Sequence, residues 1–115
     1  MFSWAVAPPT TEKEFIARTI MERARESNLN PERMLRIAIC ESGLEIKANN
    51  PRTIDRGLFQ INKIHDPLLK QMRIDPFNYK DNIDFAIWLA QRDGYTPWNA
   101  SIKCQLSLKL ALSSP

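Results

Sequence analysis

Met34-Leu35-Arg36-Ile37-Ala38-Ile39-Cys40-Glu41-Ser42-Gly43 is the stretch on which the reading of this chain turns. Met34, Ile37, Ala38 and Glu41 recur at i, i+3, i+4 and i+7, the spacing of one face of an α-helix. A carboxylic acid thus extends an apolar stripe instead of lying on the wet face. Apolar neighbours disfavour its charged form, and the negative end of the helix dipole opposes a carboxylate placed near a C-terminus. Both effects raise the pKa, as a group that must keep a proton near neutral pH requires. From position alone, a glutamate near a helix end is more often a solvated surface residue.

The chain on either side of this stretch also reads as helix. Thr11-Glu12-Lys13-Glu14 is a capping box opening a helix to about Ser27, with Ile16, Ala17, Ile20, Met21 and Ala24 toward a core and Arg18, Glu22, Arg25 and Glu26 toward water. Asn30-Pro31 starts the helix that carries Glu41, with asparagine as cap and proline in the first turn. Residues 43–57 lack a helical period and form a loop or short hairpin region. A short helix is expected from Gly57, and another from Asp66-Pro67, a second cap-plus-proline signal. Residues 78–93 are apolar on most sides, which marks a central buried helix that includes Trp88 and ends at Gly94. Thr96-Pro97-Trp98-Asn99 opens a short helix through Cys104, followed by a frayed helix or tail. Strand signal is thin, so the fold class is mainly α, α+β at most. Residues 1–9 read as a loose N-terminal arm and residues 10–115 as one domain.

Fourteen residues beyond Glu41 stands Asp55, in Asp55-Arg56-Gly57-Leu58-Phe59-Gln60-Ile61-Asn62. Arg52, Thr53 and Arg56 surround it with solvation and positive charge, which keep a carboxylate ionised. Two carboxyl groups in unlike environments suit the cutting of a glycosidic bond, where one donates a proton and the other stays charged. The plainer reading of an aspartate near a glycine is turn chemistry. His65 reads as an ordinary polar residue beside a proline turn. Tyr95 and Trp98 follow a helix stop, where aromatic faces either pack or stack on sugars. Asn99-Ala100-Ser101 fits a glycosylation sequon by chance.

Composition narrows the class. At 115 residues, 43% hydrophobic and 25% charged, the chain is sized for one folded domain and argues against wholesale disorder. Its 16 basic and 13 acidic side chains leave a net charge of +3, a mild excess that favours an acidic polymer or anionic surface. No apolar run approaches the roughly 18 residues of a membrane span. The opening residues do not make a complete signal peptide, although Ala5-Val6-Ala7 has the look of a cleavage site. Cys40 and Cys104 are the only cysteines. Two lone thiols are more often buried and reduced than paired. Paired, they would close 64 residues, worth roughly 4 kcal/mol in the loop-entropy model, and would imply an oxidising compartment. Without histidine partners they make no zinc site, and no other metal or cofactor is expected.

Ile37-Ala38-Ile39-Cys40-Glu41-Ser42-Gly43-Leu44, then Ala48 and Asn50-Pro51, then Asp55 through Asn62, resembles the lysozyme-like superfamily, and within it the catalytic domain of soluble lytic transglycosylases. Asp75-Pro76, Asn82-Ile83 and Tyr95-Thr96-Pro97-Trp98 extend the likeness over about residues 15 to 104. The resemblance implies a lysozyme-like helical domain that cleaves the β-1,4 bond between N-acetylmuramic acid and N-acetylglucosamine in peptidoglycan. Glu41 would be the acid, Ser42 its support, and Gln60 and Asn62 the lining of the cleft, with Tyr95 and Trp98 as further sugar-binding aromatics. Asp55 departs from many lytic transglycosylases, which lack a carboxylate there, and matches the second carboxylate of animal c-type lysozymes. Without such a group the sugar's own 6-hydroxyl closes an anhydro ring; with it, hydrolysis by a muramidase becomes open. Secretion-associated transglycosylases also carry aspartate here. The expected partner is the glycan strand and the expected place the cell envelope, the extracellular space or a virion, with a monomer doing the work. Two rival classes are a glycan-binding module that does not cut, and a nucleic-acid binder built on the arginines of the first two helices. Glu22, Glu26, Glu32 and Glu41 dilute the positive face that the latter needs.

Overall fold

The computed structural model of the protein describes residues 11–113. The arm expected over residues 1–9 lies outside them. Helix α1 (Glu12–Glu26) starts as its sequence directs, with the Thr11 hydroxyl oxygen accepting the Glu14 N–H at 3.1 Å. Helix α2 (Pro31–Ser42) starts in the same way, the Asn30 side-chain oxygen accepting the Arg33 N–H at 2.9 Å. Ile16, Ile20 and Ala24 of α1 and Met34, Ile37 and Ala38 of α2 are buried in one core. Ala17 and Met21, at the edges of the expected stripe, are half-buried. Gly43, left-handed at φ 62°, ends α2.

Between α2 and the next long helix lies a three-stranded antiparallel sheet of β1 (Asn49–Asn50), β2 (Asp55–Arg56) and β3 (Ile61–Asn62), in that spatial order. Asn50 pairs with Asp55, and Asp55 with Asn62, which fixes both site residues in register. The helix expected from Gly57 does not form. Gly57 at φ 76° and Gln60 at φ 50° are both left-handed, and the Gln60 N–H donates to the Gly57 carbonyl at 3.1 Å. Two such residues within four make a tight turn and rule out an α-helix. The turn drives Leu58 and Phe59 into the core.

A 3-10 turn at Lys63–His65 leads into α3 (Asp66–Met72). Asp66 is not the cap that its sequence suggested; it stands in the first turn, and its carboxylate takes the Arg56 guanidinium at 2.6 Å. Helix α4 (Tyr79–Asp93), capped by Asn78 and stopped at Gly94, is the central helix, with Ile83, Phe85, Ala86, Ile87, Leu89 and Ala90 buried. Trp88, expected in the core, is half-buried at its margin, where the guanidinium of Arg92, one turn on, lies over the indole at 4.7 Å.

Asn82, fully buried on α4, joins helix to sheet. It accepts the Phe59 N–H at 2.9 Å and donates to the carbonyls of Arg56 at 3.0 Å and Pro76 at 2.8 Å. After α4, a 3-10 segment at Thr96–Ser101 passes directly into α5 (Ile102–Ser113), a longer helix than the frayed tail expected. Cys40 and Cys104 form a disulfide across a Cα–Cα distance of 5.9 Å. The reading of two buried, reduced thiols is therefore overturned: Cys40 is half-buried and Cys104 exposed. The bond ties the last turn of α2 to the first turn of α5, one residue from Glu41.

Candidate active site

Glu41 and Asp55 line one cavity of about 150 Å³. Glu41 enters from the end of α2. Asp55, Gln60, Ile61 and Asn62 form the sheet side, His65 the edge beyond β3, Leu89 of α4 the floor, and Pro97, Trp98 and Ala100 the opposite wall. The two carboxyl groups, fourteen residues apart in the chain, line the same cavity because the sheet follows the end of α2 and Asn82 holds the sheet against α4.

The environments of the two acids differ. Glu41 is half-buried, and its pKa is raised, first by desolvation and further by the charge of Asp55; a hydrogen bond from the Ser101 side chain works against both. Asp55 has each carboxylate oxygen engaged within the sheet region. One accepts the Asn62 side-chain amide at 2.9 Å and the other the Thr53 hydroxyl. Such bonds fix the group in place and satisfy a charge.

The remaining residues singled out in the sequence separate into two groups. Gln60, Asn62 and Trp98 line the cavity. Gln60 donates its amide to the carbonyls of Ala48 at 3.3 Å and Gly57 at 3.0 Å, closing the loop on which it stands. Asn62 also donates to the Thr53 carbonyl at 3.0 Å and accepts the Ile64 N–H at 2.9 Å. Trp98 is 3% exposed, donates its indole N–H to the Phe59 carbonyl at 3.0 Å and packs edge-on against Phe59. It is a wall more than an open stacking platform. Ser42 and Tyr95 are not among the lining residues. The Ser42 hydroxyl donates back to the Ala38 carbonyl at 3.0 Å, and Tyr95 lies under the Arg33 guanidinium at 3.7 Å.

His65 is the residue that sequence reasoning passed over. It is half-buried, its ring 5.5 Å from that of Phe85, and its pKa is lowered by desolvation and then by Arg92. The cavity therefore meets a neutral imidazole at neutral pH. Among the described residues no group of three His, Cys, Asp or Glu side chains could hold a metal ion, and no helix is long and apolar enough to cross a membrane.

A half-buried acid and a hydrogen-bonded carboxylate thus line one cavity on a mainly helical fold. The chain belongs to the transglycosylase SLT domain family, whose model matches residues 18–101, from α1 to the wall of the cavity. No curated protein and no solved structure matches it. The family acts on peptidoglycan, by transglycosylase-type cleavage of glycosidic bonds, and that substrate lies in the cell envelope.

Proposed function

We propose that this chain cleaves the β-1,4 bond between N-acetylmuramic acid and N-acetylglucosamine, with Glu41 as general acid and then general base. The observation that carries the reading is Glu41 itself, a half-buried carboxyl at a helix end, desolvated and facing a second carboxylate across one cavity. Glu41 gives its proton to the bridging oxygen, which leaves with the N-acetylglucosamine as the C1–O bond breaks. Positive charge develops at C1 and the ring oxygen of the muramoyl sugar. The Glu41 carboxylate then takes the proton of the 6-hydroxyl of that sugar as its oxygen closes on C1. The product is a 1,6-anhydro end; no water is consumed, and Glu41 recovers its proton. Asp55, fixed by Thr53 and Asn62, supplies negative charge opposite the forming cation. Gln60, Asn62 and Trp98 form the walls along the sugar rings, while Ser42 and Tyr95 support them from outside the cavity. The enzyme works as a monomer, without metal or cofactor, on glycan in the envelope, outside the cell or on a virion.

The presence of Asp55 in the same cavity favours a second reading, a muramidase in which water replaces the 6-hydroxyl. Mass analysis of the glycan ends released from purified peptidoglycan separates the two: anhydro ends are expected, and reducing ends would mark hydrolysis. Glu41→Gln is expected to abolish release. Equal release from that variant and the wild type would end the enzymatic reading, and saccharide binding without turnover would make the chain a binding module. The rate should fall as pH rises through the raised pKa of Glu41, because the proton-donating form is lost.

A further inference from the structure

A second cavity, of about 130 Å³, lies between α2 and α5 and shares no lining residue with the first. Gln105 of α5, 5% exposed, stands between the two. It lines the second, and its amide nitrogen donates at 3.0 Å to the carbonyl of Trp98, in the wall of the first. Arg33 and Arg36 of α2 and Lys109 of α5 also line the second cavity, with Ile102 and Leu106 and no acid among them. Both arginines are half-buried. Arg23, Arg56 and Arg92 each hold an aspartate. Among the described residues, neither the Arg33 nor the Arg36 guanidinium has a hydrogen bond or an ion pair. Like charges at i and i+3 on a helix repel, and a partly desolvated cation without a counter-charge is costly. Arg33 is also held in place, its guanidinium over the Tyr95 ring at 3.7 Å. A guanidinium stacked by its face keeps its N–H donors at the edge, in the plane where a carboxylate or phosphate is bound bidentately.

We propose that this cavity is an anion-binding site, separate from the catalytic one, that takes a carboxylate or phosphate group carried by the wall polymer. Arg33 and Arg36 supply the charge and the donors. Ile102 and Leu106 give the cavity an apolar side, which strengthens a charged hydrogen bond by lowering the local dielectric. The inference rests on peptidoglycan as the substrate of the family and not on the role of Glu41. The peptide stems of that polymer bear free carboxylates, and phosphodiester polymers are attached to it in some envelopes. A long polymer held at one site is presented to the other at high local concentration. A fragment too short to span both sites gains nothing. The second site therefore acts on capture of the insoluble wall and leaves the bond-breaking step alone.

The test measures cosedimentation of wild type, Arg36→Gln, Arg36→Lys and Arg36→Glu, each as the whole chain, with purified peptidoglycan. The polymer is used untreated, with its carboxylates converted to amides, with its phosphodiester polymers stripped by hydrofluoric acid, and after both treatments. Arg36→Gln should bind the untreated polymer about fivefold more weakly, the effect of one partly exposed charge pair. Arg36→Glu should bind more weakly still, and Arg36→Lys, which keeps the charge, should retain most of the affinity. Added salt should weaken the wild type more than Arg36→Gln. If amidation removes the difference between wild type and Arg36→Gln, the ligand is a carboxylate; if stripping removes it, a phosphate. Variants that bind like the wild type, or a difference that survives both treatments together, would overturn the proposal. Turnover of short soluble fragments should keep its kcat and KM in every variant. A wild type that turns nothing over would end the enzymatic reading and leave the binding comparison standing. Should the Arg36 variants fail to fold, titration of the wild type with inorganic phosphate carries the test. The Arg33 and Arg36 side-chain N–H signals should then shift in NMR spectra, and signals that stay in place would overturn the site.

Discussion

Glu41 sets an opposition between stability and function that can be measured. Its folded-state pKa lies above the unfolded value of about 4.3, so folding favours the protonated form. That favourable contribution is complete below the unfolded pKa and is lost as pH rises through the folded one. Above the folded pKa the ionised form is a desolvated charge that the fold tolerates. Glu41→Gln removes it and should melt at a higher temperature than the wild type at pH 7, while at about pH 4 the two should converge. A variant no more stable at neutral pH would contradict the assigned environment. Gly57 is the second residue with a decided role. At φ 76°, a Cβ there would stand 2.3 Å from both the Asn82 side-chain nitrogen and the Pro76 carbonyl. Gly57→Ala meets both strain and a clash in the hub that joins sheet to α4, and should cost about 2 kcal/mol or more in urea denaturation. The motif Gly57-Leu58-Phe59-Gln60 is thus a requirement of backbone space before it is anything chemical. That constraint could not be read from the sequence, because the obstructing groups come from 19 and 25 residues further on.

Among the elements, those with local signals were legible. Thr11, Asn30-Pro31 and Gly94 announce the ends of α1, α2 and α4, since caps act within a few residues. The sheet was visible only as a loop or hairpin region, because strands of two residues carry no alternation. The supposed helix at Gly57 failed for the complementary reason: positive φ at Gln60 is a choice of tertiary structure that no propensity encodes. The disulfide belongs to this scale as well. Two cysteines 64 residues apart do not say whether they meet; α2 and α5 must first be placed side by side. The bond then closes a long loop, and its loss through Cys40→Ser with Cys104→Ser should lower stability by about 4 kcal/mol. Denaturation with and without reductant measures this. Identical curves would mean that the helices are held by packing alone.

At the scale of the molecule, two carboxyl groups with no local connection become one site because three joints coincide: the disulfide beside Glu41, the Asn82 bonds between sheet and α4, and the Trp98 bond to Phe59. The acid at position 41 and the carboxylate at position 55 were legible as types of residue at a telling interval. That His65 lines the cavity and that Tyr95 stands outside it are facts of assembly. The whole account stands on the protonation of one side chain, and the most direct measurement is the site-resolved NMR titration of the Glu41 carboxyl in the intact protein. A midpoint clearly above that of an ordinary glutamate is the predicted result. A midpoint at or below the ordinary value would contradict it, leaving the cavity with no proton to give.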